Sequence, residues 1–225
     1  MFGKNKVSRI QLHQGNFLEI QEIFATIQGE GFNAGKPAIF IRLSGCNLQC
    51  SFCDTDFDSP KKIKVDEIIQ QVEELSLNSN QQRVRDLIVI TGGEPMLQPI
   101  AKLCNLLLHK KFKIQIETNG TIYRKIPLAV EIICSPKATR GKYYPINPNL
   151  LKRIKAFKFL ISANNPNYHD IANYAKEQKK IPIFIQPIDE YDQKKNQQNI
   201  QRIVDLSMQN GYLVSLQIHK ILNIR

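Results

Sequence analysis

Short apolar runs and amphipathic stripes alternate along the chain. Pro37–Leu43 (PAIFIRL) reads as a strand. Val65, Ile68, Ile69, Val72 and Leu75 recur at helical spacing and share one face of a helix. Leu87–Thr91 (LIVIT) is a continuous apolar run, as a buried parallel strand requires. Leu97, Ile100, Ala101, Cys104, Leu107 and Leu108 form the next helical stripe. Lys113–Thr118, Ala129–Cys134, Ala156–Ser162 and Ile181–Gln186 read as strands. Asn167–Lys179 and Lys194–Met208 read as helices, and Tyr212–His219 as a last strand. Asn78–Arg83 and Thr139–Pro148, rich in Asn, Gln, Gly and Pro, read as loops.

Repeated βα alternation predicts an α/β fold with a parallel sheet and helices outside it. Six or so units are too few for a closed eight-stranded barrel. A partial, open (β/α) barrel of about six parallel strands fits better than a flat doubly wound sheet, although periodicity alone does not separate the two. In either case the working residues belong at the carboxyl ends of strands. Cys46, Thr91–Pro95, Thr118–Gly120, Ser135–Lys137 and Gln186–Pro187 all follow predicted strands.

Composition narrows the class. The chain has 225 residues, which suits one domain with a real core. Met1–Asn16 is polar and lacks the apolar stretch of a signal peptide. The apolar runs are too short to span a bilayer, so a soluble, cytoplasmic protein is expected. The net charge is +11, but Lys and Arg are scattered, with no dense basic tract carrying interleaved aromatics. A solvated basic face is therefore expected, and no nucleic-acid or membrane partner.

Three of the five cysteines lie within eight residues, as Cys46-x3-Cys50-x2-Cys53. Thiolates are the soft ligands that iron–sulfur clusters and zinc require. Structural zinc takes four closed ligands. Cys104 falls on a helical stripe and Cys134 at a distant strand end, so neither is a natural fourth. Three cysteines leave one iron of a cubane open to a substrate or cofactor. A zinc knuckle completed by a histidine, or three buried thiols, remain the alternatives. The four histidines form no metal-spaced pair, and only His219 has a possible place near the site.

The loop GCNLQCSFCDT (Gly45–Thr55) and the later Thr91-Gly92-Gly93-Glu94-Pro95 resemble the two signatures of the radical S-adenosylmethionine superfamily. The resemblance implies a 4Fe–4S cluster on Cys46, Cys50 and Cys53. Its open iron binds the amino and carboxylate groups of S-adenosylmethionine, and one electron cleaves the sulfonium. Gly93 and Glu94 then match cofactor contacts, and Phe52 a position near the cofactor. Packing explains Phe52 equally well.

Glu22–Thr55 further resembles the 7-carboxy-7-deazaguanine synthase family. The resemblance continues through ETNG (Glu117–Gly120), SPK (Ser135–Lys137), IQP (Ile185–Pro187) and LQIHKILNIR (Leu216–Arg225). TIQGEG is its most specific part. It implies a lyase that rearranges 6-carboxy-5,6,7,8-tetrahydropterin to 7-carboxy-7-deazaguanine with loss of ammonia, on the route to queuosine, using Mg²⁺. Residues 1–36 would form a substrate-loop extension and residues 37–225 the partial barrel. Ile27, Gln28, Gly29 and Glu30 match the substrate-binding loop, and Arg42 and Thr91 substrate contacts. Thr55 matches the Mg²⁺ ligand, with Asp54 a rival by chemistry alone. Ser135, Pro136 and Lys137 match cofactor contacts, with Asn119 and Gln186 as further ones. The Arg225 carboxylate is a substrate-contact candidate. Family likeness also implies a homodimer and a flavodoxin-type reductant. Many relatives carry Trp where Phe52 stands, and the short stretch from Thr55 to Val65 leaves room only for a small cap. Cys104 and Cys134 read as buried thiols. The competing functions are a glycyl-radical activase, which shares the cysteine loop and GGEP, and a basic zinc protein that binds RNA.

Overall fold

The apolar runs pair in the order in which the chain makes them. A computed structural model describes residues 6–50, 53 and 60–224. Its strands and helices begin β1 (Phe17–Ile27), β2 (Pro37–Leu43), β3 (Lys61–Lys64), α1 (Val65–Ser76), β4 (Leu87–Gly92), α2 (Ala101–His109), β5 (Lys113–Thr118) and β6 (Glu131–Cys134). A hairpin of β7 (Ala138–Thr139) and β8 (Lys142–Tyr143) follows, then α3 (Pro148–Leu151), β9 (Ile154–Ile161) and α4 (Asn173–Lys176). The chain continues through β10 (Ile183–Pro187), α5 (Gln193–Asn210), β11 (Leu213–Val214) and α6 (Ile218–Ile221).

One sheet carries nine strands in the order β11-β10-β9-β6-β5-β4-β2-β1-β3. From β2 to β11 every pairing is parallel, and each strand lies beside its predecessor in that series. The order never reverses, so the sheet has no topological switch point. Crossovers of one hand then put the helices on one face, which is the winding of an open barrel rather than a doubly wound sheet. β1 and β3 extend the sheet antiparallel beyond β2.

Strand parity sorts the residues. In β2, Ile39, Ile41 and Leu43 pack into the main core with Ile68 and Val72 of α1 and Leu103 and Leu107 of α2. The alternate residues Phe40 and Arg42 face the cavity. β5 repeats this, with Ile114 and Ile116 in the core and Glu117 at the cavity. In β9, Phe157, Phe159 and Ile161 form a second core, while Lys158 and Leu160 face inward. The period of two thus separates a fold-holding face from a working face.

Besides β3 and the β7–β8 hairpin, which the sequence reading did not place, four segments depart from it. β1 was not foreseen, because a bulge between Ile20 and Glu22 breaks its alternation. It pairs with β2 from Ile20 to Ile27 and with β3 from Phe17 to Ile20, so residues 17–27 belong to the same sheet as the barrel strands. The 167–179 helix is reduced to α4, because Asp170 accepts from the Ile171 amide and caps a turn there. The second stripe becomes helical only at Ala101. Pro95–Leu97 is a 3₁₀ turn, and the Ile100 amide bonds Gln98 O across Pro99. The last strand is only Leu213–Val214. Beyond it the chain leaves the sheet edge, and the Ile218 amide donates to Gly29 O at 3.0 Å. Among the described residues no helix is long and apolar enough to cross a membrane.

Candidate active site

A cavity of about 310 Å³ opens on the inner face of the sheet, at the carboxyl ends of the parallel strands. Fourteen of the sequence-predicted site residues line it: Ile27, Gln28, Gly29, Glu30, Arg42, Cys46, Cys50, Cys53, Thr91, Gly93, Asn119, Ser135, Lys137 and Gln186. Glu94 and Pro136 do not. Thr55 and Arg225, together with Phe52 and Asp54, lie outside the described residues.

The cysteine loop leaves β2 at Ser44 and turns at Gly45, whose φ of +85° disfavours any side chain. Cys46 is pinned from the N-terminal side, where the Ser8 amide donates to Cys46 O at 2.7 Å. Arg124 secures that segment by donating to Gln11 O, Met96 O and Leu97 O. Asn119 reaches the loop through its amide, donating to Asn47 Oδ1 at 3.0 Å. None of the three cysteines is in a disulfide, and all three line one cavity. Among the described residues, no three His, Cys, Asp or Glu side chains gather closely enough to hold a single ion. A cubane asks for a different arrangement, with separate sulfurs on separate irons around a larger space. Burial pushes the Cys46 thiol up to about 11, and burial also raises Cys50, partly offset by Lys137. Such thiols become thiolates when a metal takes the proton's place. The donor set and the space therefore fit an iron–sulfur cluster.

GGEP docks against this loop. A Cβ on Gly93 would lie 2.0 Å from Gly45 O and 2.9 Å from Cys46 Cβ. One on Gly92 would lie 2.0 Å from Leu43 O. The Glu94 amide donates to Gly45 O at 2.9 Å. The Glu94 carboxylate, expected from the sequence at the cofactor, is held here by the protein's own donors. It is fully buried, accepting from the Met96 amide, Thr118 Oγ1 and the Asn119 amide at 2.7–2.9 Å. It braces the strand ends behind the cavity. Burial raises its pKa, against those hydrogen bonds. Pro136 likewise lies off the cavity, with Ser135 and Lys137 on either side of it facing in.

The TIQGEG loop follows β1 and meets the C-terminal segment. A Cβ on Gly29 would fall 2.2 Å from His219 Nδ1, so only glycine lets the histidine close over the loop. Glu30 Oε2 is 2.6 Å from Lys158 Nζ, and its Oε1 accepts from Gln217 Nε2 at 2.9 Å. Burial alone would raise the Glu30 carboxyl, but Lys158 and these hydrogen bonds hold it down at about 2. Arg42 reaches Glu22 Oε1 through Nε at 2.7 Å, its guanidinium stacked towards Phe24. Lys137 Nζ donates to Ser135 O and Oγ, both at 2.8 Å.

Sequence reasoning missed several lining residues: Lys158, Glu117, Asp189, Tyr191, Gln217 and Lys220. Lys158 had a signal, a charge set between Phe157 and Phe159 in the apolar strand IKAFKFLI. Glu117 lies near the end of β5, and the remaining four sit in loops and at the C-terminal turn, where periodicity carries no information.

The comparisons with known proteins agree with this geometry. Residues 40–140 match the Radical SAM superfamily. The 7-carboxy-7-deazaguanine synthase of Rickettsia prowazekii is 49% identical, aligned over 100% of this chain and 96% of its own. That of Rhodospirillum rubrum is 36% identical over 100% of both chains. The crystal structure of QueE from Escherichia coli shares the fold at TM-score 0.72, with 24% identity, covering 89% of this chain and 94% of that one. An open barrel with three cysteines, none in a disulfide, on the loop after its first parallel strand defines a radical S-adenosylmethionine enzyme. Within that class, this chain belongs to the 7-carboxy-7-deazaguanine synthase family.

Proposed function

We propose that this protein converts 6-carboxy-5,6,7,8-tetrahydropterin to 7-carboxy-7-deazaguanine with loss of ammonia, a lyase step of queuosine biosynthesis. The observation that carries the reading is the meeting, in one cavity, of the three cysteines and the TIQGEG loop, in a chain 49% identical to a 7-carboxy-7-deazaguanine synthase over its length. Cys46, Cys50 and Cys53 would hold the 4Fe–4S cluster, which together with S-adenosylmethionine supplies one-electron, radical chemistry when bound.

The chain's own residues bind, orient and exclude water. Gly93 leaves the approach to the cluster loop open, and Ser135, Lys137, Asn119 and Gln186 offer polar groups to the cofactor. Lys137 is suited to a carboxylate, as a cation already fixed in place by Ser135. Ile27, Gln28, Gly29 and Glu30 face the pterin, with Arg42 and Thr91 on adjacent strands in register with each other. A guanidinium oriented through Nε by Glu22 suits the substrate carboxylate, which it can grip bidentately. Mg²⁺ completes the proposal, with Thr55 as its protein ligand. We also propose a cytoplasmic homodimer of single-domain chains, reduced by a flavodoxin-type protein.

Anaerobically reconstituted protein, given reductant, S-adenosylmethionine, Mg²⁺ and the carboxytetrahydropterin, is expected to release 7-carboxy-7-deazaguanine and ammonia, detected by liquid chromatography and mass spectrometry. Cleavage of S-adenosylmethionine with an intact cluster but no deazapurine would overturn the assignment.

A further inference from the structure

The cysteine loop is tied to the end of β5 by a closed ring of hydrogen bonds that the roles above do not explain. Asn47, the residue after the first ligand, donates through Nδ2 to Thr121 Oγ1 at 2.8 Å. Thr121 Oγ1 donates to Asn119 Oδ1 at 2.7 Å, and Asn119 Nδ2 donates back to Asn47 Oδ1 at 3.0 Å. One backbone donor fixes which way the amides face. The Thr121 N–H also donates to the Asn119 side chain, at 2.9 Å, so an oxygen must meet it there. Asn119 Nδ2 then faces Asn47, and Asn47 in turn has only one workable orientation. The three bonds run the same way round, and in such a chain each polarises the next. Asn119 is buried, and its backbone N–H is anchored on Glu94 Oε2 at 2.7 Å. The ring uses one of the two Asn119 Nδ2 hydrogens and leaves the other for the cofactor.

The ring steadies a peptide that faces a cluster ligand. The Leu48 N–H donates to Cys46 Sγ at 3.4 Å. Its aim depends on the turn from Cys46 to Leu48, which is held at two points. The peptide before Asn47 is held where the Ser8 N–H meets Cys46 O at 2.7 Å. The Asn47 side chain is held by Thr121 and Asn119. With both fixed, the next peptide keeps its N–H on the sulfur. Hydrogen bonds to the ligand sulfurs are among the levers that set an iron–sulfur cluster's potential. Such a donor favours the reduced state, because the added electron makes the sulfurs more negative and charge strengthens the bond.

Resting on the cluster assignment above, we propose that Asn47 and Thr121 are positioning residues that raise the cluster's reduction potential by aiming the Leu48 N–H at Cys46 Sγ. Neither lines the cavity, so both act through the loop and not on the substrate. Without the ring the Asn47–Leu48 peptide is free to turn its N–H away from the sulfur. The three thiols stay on the loop, so the cluster still assembles, but it becomes harder to reduce.

The test is a redox titration of the reconstituted protein without S-adenosylmethionine, the reduced cluster being counted by electron paramagnetic resonance. Losing one hydrogen bond to a charged group changes an equilibrium by about tenfold. At the potential where half of the wild-type clusters are reduced, the ratio of reduced to oxidised cluster is expected to fall about tenfold in Asn47→Ala, a downward shift of about 59 mV for one electron. Thr121→Val is expected to shift the same way. Thr121→Ser keeps the hydroxyl and is expected to titrate as the wild type does. Iron content and melting temperature are the controls of loading and fold. Wild-type potentials in iron-loaded Asn47→Ala and Thr121→Val overturn the proposal. Loss of the cluster from both variants also overturns it, since the ring would then serve assembly alone, as does an equal shift in Thr121→Ser. The wild type separates the two levels. If its cluster titrates normally and the variants do not move, only the ring's role falls. If it binds no reducible iron, the cluster assignment falls and the ring's role with it.

Discussion

Gly93→Ala is expected to cost the protein most of its bound iron while every cysteine remains in place. The reason is steric. The new methyl would sit 2.0 Å from Gly45 O and 2.9 Å from Cys46 Cβ. The first of these atoms is backbone and cannot rotate away. Either the cysteine loop or the strand end behind it must move by about an ångström. The Glu94 amide, which holds Gly45 O at 2.9 Å, would move with it. Misplacement of that size at a reacting centre costs about 100-fold in rate. Iron analysis and turnover of the reconstituted variant measure both effects, with circular dichroism confirming the fold. Wild-type loading and rate in Gly93→Ala would mean that the loop does not depend on this contact.

Replacing Cys46, Cys50 or Cys53 singly with Ala is expected to lower activity by about 10⁴-fold or more, equivalent to at least about 5.4 kcal/mol in the barrel's chemistry. Each sulfur is taken to hold a different iron, so the remaining two cannot compensate. The cost to the fold is small by comparison, because none of these thiols belongs to either core cluster of the sheet. Cys104 provides the contrast. It is fully buried on the core face of α2, and burial drives its pKa up to about 12. Cys104→Ala is expected to lose some stability and no iron. Iron retained after removal of a loop cysteine, or lost with Cys104, would contradict the ligand assignment.

The cysteine loop, GGEP and TIQGEG were legible because each is a contiguous run whose residue types state its chemistry. The parallel strands were legible because both faces are buried or lined, which makes the runs apolar and short. What stayed hidden arises from packing between distant segments. Gly93 read as a cofactor contact, and its tight seat against Gly45 O appears only once β2 and β4 lie side by side. Glu94 read as a cofactor contact from its motif, yet its three donors come from two different strand ends. A lysine in a strand ordinarily points to water. Lys158 points inward because its parity places it opposite the Phe157 and Phe159 core, and two glutamates from elsewhere in the chain meet it there. The C-terminal stretch alternated well enough to read as a strand, but Gly29 O captures the Ile218 amide and turns the chain towards the cavity.

The central claim is that Cys46, Cys50 and Cys53 hold a cubane whose fourth iron stays open to a cofactor. Electron paramagnetic resonance of the anaerobically reconstituted, dithionite-reduced protein tests it most directly. The account predicts a reduced 4Fe–4S signal whose g-values shift when S-adenosylmethionine is added, and no such signal in Cys50→Ala. A cluster signal indifferent to S-adenosylmethionine, or a colourless protein carrying zinc, would contradict it.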